Sequence, residues 1–187
     1  MKHLIIYSHL NPNSFTKAIV DKVEKVAQEN GDEIKIIDLY GDGFNPILEF
    51  PDIEHMFMGK EAPSDVAKYQ ELVSWADHFT FVYPLWWAQM PAILKGFIDR
   101  VFSNGFAFAY GEDGMPIGLL KGKTAKLYVS TGNTDEYYSE SGMHSAQKRT
   151  IDEGVFGFCG IEASSIFFGN VAMGTYELRK GYLESII

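Results

Sequence analysis

Apolar residues recur along this chain in two alternating periods. Short apolar runs bounded by turn formers, at 3–7 (HLIIY), 34–39 (IKIIDL), 79–83 (FTFVY), 125–130 (AKLYVS) and 161–168 (IEASSIFF), predict strands. Between them the spacing is helical. In 15–30, Ile19, Val20, Val23, Val26 and Ala27 share one face, Ser14 stands at the cap and Gly31 follows the end. Residues 65–76 predict a second helix, 91–102 a third that starts at Pro91, and 143–157 a fourth. Strands alternating with helices imply a parallel sheet covered on both faces. Two long connections, 41–63 and 103–122, carry no such pattern. The second contains FAFAY between Gly105 and Gly111, which reads either as a hairpin overhanging a pocket or as a packed surface excursion. In 171–187 only YELRKGYLESII has a helical look, and no role is readable there.

Length and composition narrow this picture. At 187 residues and 46% hydrophobic, the chain suits one core and therefore one domain, 1–187. The single Cys159 excludes an internal disulfide framework and a multi-cysteine metal site; it reads as a small buried apolar residue in a reducing compartment. No metal-ligand spacing is present. The chain enters a strand at once and has no apolar run near the roughly 18 residues a membrane span needs, so a cytoplasmic protein without membrane insertion is expected. With a net charge of −9 and no Lys/Arg cluster, nucleic acid is a poor partner. A phosphate would have to be held locally, by backbone N–H groups.

In open parallel sheets ligands bind beyond the carboxyl ends of the strands. Three segments lie there. SHLNPNSFT, residues 8–16, offers His9, the Ser14 and Thr16 hydroxyls and a helix start, and so is either a phosphate site without glycine or simply a capped loop. No GxGxxG run exists, although Asp38 ends the second strand where a ribose-binding acid can sit. PLWWAQMP, residues 84–91, sets Trp86 and Trp87 at a strand end. Such a pair suits a flat aromatic ligand, and at least one Trp is also expected to pack in the core or an interface. STGNTDEYYSESGMHS, residues 130–145, gathers hydroxyls, Gly132, Tyr137, Tyr138 and His144, donors suited to a developing anion, although a lone His before a helix is commonly structural.

Taken together, SHLNPNSF, DLYGDGFNPI, YPLWWAQMPAILKGFIDRVF, GFAFAY and STG…YYSESGMH, in that order and spacing, resemble the flavodoxin-like NAD(P)H:quinone reductases. That family includes DT-diaphorase, the modulator-of-drug-activity proteins and the ancillary reductase of potassium efflux. The resemblance covers residues 1 to about 170. It implies a three-layer α/β sandwich with a five-stranded parallel sheet of order 2-1-3-4-5, and a homodimer. It also implies noncovalent FAD, or FMN in its place, reduced by hydride from NAD(P)H and reoxidised in ping-pong fashion by a quinone or similar acceptor. On the same resemblance His9, Ser14, Phe15 and Thr16 hold the flavin phosphates, and Pro84, Leu85, Trp86 and Trp87 line the isoalloxazine. Ser130, Thr131, Gly132 and Asn133 meet its pyrimidine edge, and Tyr138 and His144 support negative charge on the reduced ring. Phe108 and Tyr110, with Trp87 and His144, wall the substrate pocket across the dimer interface. Rival implications are a nitro- or azo-compound reductase and a flavin-binding regulator of a membrane efflux system. The chain departs from the family at Leu10, where many relatives have Pro, at Asn133, where they have a second Gly, and at Phe108, where DT-diaphorase has Tyr. A short 50–64 segment leaves FAD against FMN open.

Overall fold

A computed structural model describes residues 1–187. Five strands form a parallel sheet: β1 (Lys2–Tyr7), β2 (Glu33–Asp38), β3 (His78–Pro84), β6 (Thr124–Ser130) and β7 (Glu162–Phe168), ordered β2-β1-β3-β6-β7. Counting only these strands, this is the expected 2-1-3-4-5; β4 (Phe108–Tyr110) and β5 (Pro116–Gly118) form a separate antiparallel hairpin. Side chains alternate across the sheet, as the two-residue period requires. Leu4, Ile6, Phe79, Phe81, Tyr83, Leu127 and Val129 enter a core of 29 buried residues under α3 (Ser64–Trp75) and α4 (Ala92–Val101). Ile5, Tyr7, Val82, Tyr128 and Phe168 enter a core of nine under α1 (Phe15–Glu29) and α7 (Tyr176–Glu184).

The connections hold more structure than their patterns foretell. Residues 41–63 contain α2 (Phe50–Met58), pinned by a buried ion network. Arg100 on α4 is 2% exposed; its Nε donates to both Asp52 oxygens at 3.2 and 3.0 Å, and its Nη1 to the Asn45 carbonyl and Asp65 Oδ2, each at 2.8 Å. Gly96 allows the approach, since a Cβ there would stand 2.2 Å from the Pro46 carbonyl. The loop after β6 folds into α5 (Asp135–Glu140), and the helix expected over 143–157 is instead α6 (Met143–Gln147) followed by π-helical turns over Lys148–Phe156. Within these turns the Thr150 hydroxyl donates to the Ala146 and Gln147 carbonyls, at 2.9 and 3.3 Å, which an α-helix would give to the N–H groups of residues 150 and 151. No helix is long and apolar enough to cross a membrane.

Candidate active site

Parallel register places three loops side by side. Tyr7 pairs with Asp38 and Val82, Pro84 with Ser130, and Ser130 with Phe168, so the segments leaving β1, β3 and β6 emerge together at the carboxyl edge.

The first loop does without glycine because its own side chains close it. Asn11 N–H donates to His9 Nδ1 at 3.0 Å, Asn13 N–H to Asn11 Oδ1 at 2.9 Å, and Ser14 N–H to the Asn11 carbonyl at 3.1 Å. With Nδ1 accepting, neutral His9 carries its proton on Nε2, a donor facing outward. Ser14 Oγ accepts from Lys17 N–H at 3.2 Å, which caps α1 and leaves the hydroxyl proton to donate elsewhere. The N–H groups of Phe15 and Thr16 precede any helical carbonyl partner. Their side chains are structural: Thr16 is buried, and the Phe15 ring meets Phe168 and Tyr182 at 6.2 and 6.4 Å. Asp38, by contrast, is committed to the fold, since Oδ2 accepts from Tyr7 O–H at 2.5 Å and Oδ1 from Gly41 N–H at 2.9 Å.

In the second loop Pro84 and Leu85 are buried, and Leu85 N–H donates to the Ser130 carbonyl at 2.8 Å. Trp86 and Gln89 exchange both backbone hydrogen bonds, so Trp87 and Ala88 form a two-residue turn with φ of 51° and 58°. Two left-handed residues without glycine are strained, and such strain concentrates at functional sites. The turn drives Trp87 outward, 99% exposed, and leaves Trp86 39% exposed beside His9, with ring centroids 6.1 Å apart. Neither Trp joins the core of this chain, which leaves an interface as the other expected place for them. Gln147 Nε2 donates to the Ala88 carbonyl at 2.7 Å and anchors the turn to α6.

In the third loop Ser130 and Thr131 are buried, and Thr131 Oγ1 donates to the Asn133 carbonyl at 3.0 Å. Gly132 faces open space and Asn133 is exposed. Thr134 caps α5, and Tyr138 then stacks at 17° on His144, which lies 4.2 Å from the Phe167 ring at 14° on its other side. Burial pushes the His144 pKa down against the opposing pull of Asp135, so the neutral ring is favoured near neutral pH.

His9, Ser14, Phe15, Thr16, Pro84, Leu85, Trp86, Trp87, Ser130–Asn133, Tyr138 and His144 thus share one edge. Phe108 and Tyr110 do not reach it. Their hairpin roots at the opposite edge, where Leu120 N–H donates to the Cys159 carbonyl just before β7, one strand length or about 20 Å away. Phe108 packs on Phe158 at 4.9 Å and, with Met56, Phe57, Ile98 and Phe102, borders a cavity of about 250 Å³. A further cavity of about 270 Å³ lies over the first turn of α1, between Asn13–Phe15 and Tyr176, Arg179 and Lys180 of α7. Sequence reasoning did not single out these α7 residues, because only the fold brings the adjacent Arg179 and Lys180 beside the first loop; Arg179 Nη1 also donates to the Val171 and Gly174 carbonyls at 3.1 and 2.7 Å.

Comparison with known proteins agrees with the fold. A family model described as flavodoxin-like fold matches residues 1–181. A protein of Haemophilus influenzae called an uncharacterized NAD(P)H oxidoreductase is 38% identical, over 98% of this chain and 91% of its own. The ribosyldihydronicotinamide dehydrogenase [quinone] of Pongo abelii is 32% identical over 98% and 88%. The crystal structure of an NAD(P)H:quinone oxidoreductase from Methanothermobacter marburgensis superposes with a TM-score of 0.90 at 25% identity, covering 100% of this chain and 93% of that one. The chain belongs to the flavodoxin-like family of the NAD(P)H:quinone reductases.

Proposed function

We propose that this protein is a flavin-dependent NAD(P)H:quinone oxidoreductase, active as a homodimer and working by a ping-pong sequence. The observation that carries this reading is the convergence at one sheet edge of an anion-binding helix start, an outward tryptophan turn and the Tyr138–His144 stack. The residues fit a flavin: at the start of α1 His9 Nε2, the Ser14 hydroxyl and the Phe15 and Thr16 N–H groups are left without an acceptor and would serve a phosphate, and beside Gly132 no atom would meet even a Cβ. When bound, the flavin supplies the two-electron transfer that no side chain here can perform. Pro84, Leu85, Trp86 and Trp87 would lie along its ring and Ser130 to Asn133 at its edge, with Tyr138 O–H and His144 donating toward negative charge there. Arg179 and Lys180 beside the phosphate loop give an adenylate both room and countercharge, which favours FAD over FMN.

Reach supports the homodimer, given Phe108 and Tyr110 as pocket residues. Phe108 and Tyr110 stand too far from their own chain's His144 to wall its pocket, whereas a second copy can bring them there. Exposed Phe50, Phe57, Met58 and Tyr110, 58% to 69% accessible, are the apolar surface such an interface would cover. Nicotinamide and quinone would take turns in that one pocket, so the first product leaves before the acceptor enters. A reducing cytoplasm suits the buried, unpaired Cys159. The test is an anaerobic spectral titration of protein loaded with FAD or FMN and desalted, with NADPH or NADH added and then menadione. Bleaching in one two-electron step, with colour returning on menadione, is expected. Retained flavin that neither nicotinamide bleaches overturns the reductase reading, and loss of flavin on desalting overturns the flavin site.

A further inference from the structure

The ring of His144 has two unlike nitrogens. Nε2 is buried and has no hydrogen-bond partner; it faces Asp135 Oδ1, also buried and without a partner, at 3.8 Å. Nδ1 is the nitrogen left open. The other carboxylate oxygen, Oδ2, accepts from the Tyr182 hydroxyl at 3.2 Å, and that hydroxyl also lies 3.1 Å from the Gly169 carbonyl. Residue 169 leaves Asp135 its place, since a Cβ there would stand 2.5 Å from the Asp135 backbone nitrogen and 2.8 Å from Oδ1. The carboxylate is therefore held from behind by α7 and from below by the turn after β7, with one oxygen aimed at the imidazole. The separation exceeds an ordinary hydrogen bond of about 2.9 Å by roughly 1 Å, and the two atoms have no other means of satisfaction.

We propose that Asp135 is the positioning residue of His144: its Oδ1 is the acceptor that Nε2–H faces, which fixes that tautomer and balances the ring's charge when Nδ1 binds a proton. This rests on the functional reading above only for its purpose, since a fixed Nε2–H leaves Nδ1 as the nitrogen available to a ligand, whether it works as acceptor or, protonated, as donor. The logic is that of an aspartate behind a catalytic histidine. The ring's other neighbours are consistent with it. Tyr138 of α5 and Phe167 of β7 sandwich the plane and hold it edge-on to Asp135, Lys148 at the start of the π-helical turns opposes a positive ring, and Tyr182 reaches it only through Asp135. The same arrangement gives the C-terminal helix a function through its Tyr182.

The test uses long-range ¹H–¹⁵N correlation spectra of the histidine rings in flavin-free full-length protein, followed through the imidazole titration range, with His144 assigned by its loss in His144→Gln. In wild type, neutral His144 is expected as the Nε2–H tautomer. In Asp135→Asn its pKa is expected to fall by about one pH unit, the effect of losing an opposite charge at this range, and in Asp135→Glu to recover in part. A wild-type Nδ1–H tautomer, or an unchanged pKa in Asp135→Asn, overturns the proposal. If Asp135→Asn does not fold, the wild-type tautomer decides alone. In flavin-loaded protein the pH profile of single-turnover reduction is expected to shift with the same variant. Failure of flavin binding or quinone reduction would remove the purpose and leave the ring spectra, and so the pairing, standing.

Discussion

Replacing Arg100 by Met removes a charge and keeps most of the volume. Its guanidinium and the Asp52 carboxylate are 2% and 1% exposed, so the variant leaves Asp52 buried, with Glu49 N–H at 2.8 Å as its remaining donor. Orphaning a buried partner in this way costs about 3–5 kcal/mol, a large part of the 5–15 kcal/mol by which domains are stable. Asp65 is different: at 47% exposure its bond to Arg100 is screened, and Asp65→Asn is expected to cost about 1 kcal/mol or less. Urea unfolding followed by fluorescence of Trp75, Trp86 and Trp87 would read both, with an unchanged m-value. Arg100→Met combined with Asp52→Leu is expected to regain most of the loss, because no buried charge is left unpaired. A cost for Arg100→Met near that of Asp65→Asn, or a double variant no better than the single, would refute this account. The pH sign follows from Asp65. Its bond to Arg100 holds the carboxyl below the usual carboxylate value, so its contribution is complete above the unfolded value of about 3.9 and fades as pH falls through the lower folded one.

Other expectations are simpler. Ser14→Ala removes the α1 cap and should cost about 1 kcal/mol in thermal unfolding, and should also weaken flavin retention; unchanged retention would leave Ser14 a cap only. Ala88→Gly relieves a φ of 58° and should stabilise by about 1 kcal/mol, while loosening the Trp87 turn should raise KM for the acceptor. Tyr138→Phe and His144→Ala are each expected to slow flavin reduction by up to roughly a hundredfold, and unchanged single-turnover rates would discard both roles. Burial pulls the pKa of His78 down to about 4, so between about 6.5 and 4 only the unfolded chain gains its proton and stability falls with pH. His78→Gln should flatten that decline in melting temperature.

The sheet was legible because each of its strands is a local event. Runs such as FTFVY and AKLYVS are mostly apolar, as strands covered on both faces tend to be, and Ser14 and Gly31 mark the ends of α1 at their own positions. What stayed hidden depends on partners far along the chain. Helix α2 keeps Phe50, Phe57 and Met58 exposed, so no amphipathic stripe announces it; what holds it is Arg100, 48 residues from Asp52. The π-helical turns after Gln147, where the Thr150 hydroxyl bonds two carbonyls, leave no mark in the hydrophobic period.

The site divides along the same line. That three loops share an edge follows from parallel strands alone, and the residue types in those loops were readable. Their states were not. His9 presents Nε2–H because Asn11 occupies its other nitrogen, Trp87 points out because of a two-residue strained turn, and His144 meets a carboxylate whose position is set by Tyr182 and Gly169. In each case the state of the side chain depends on a neighbouring residue and not on its own type alone. FAFAY makes the same point in reverse: its hairpin was legible, but only the topology places Phe108 at the far edge of the sheet, away from the three loops.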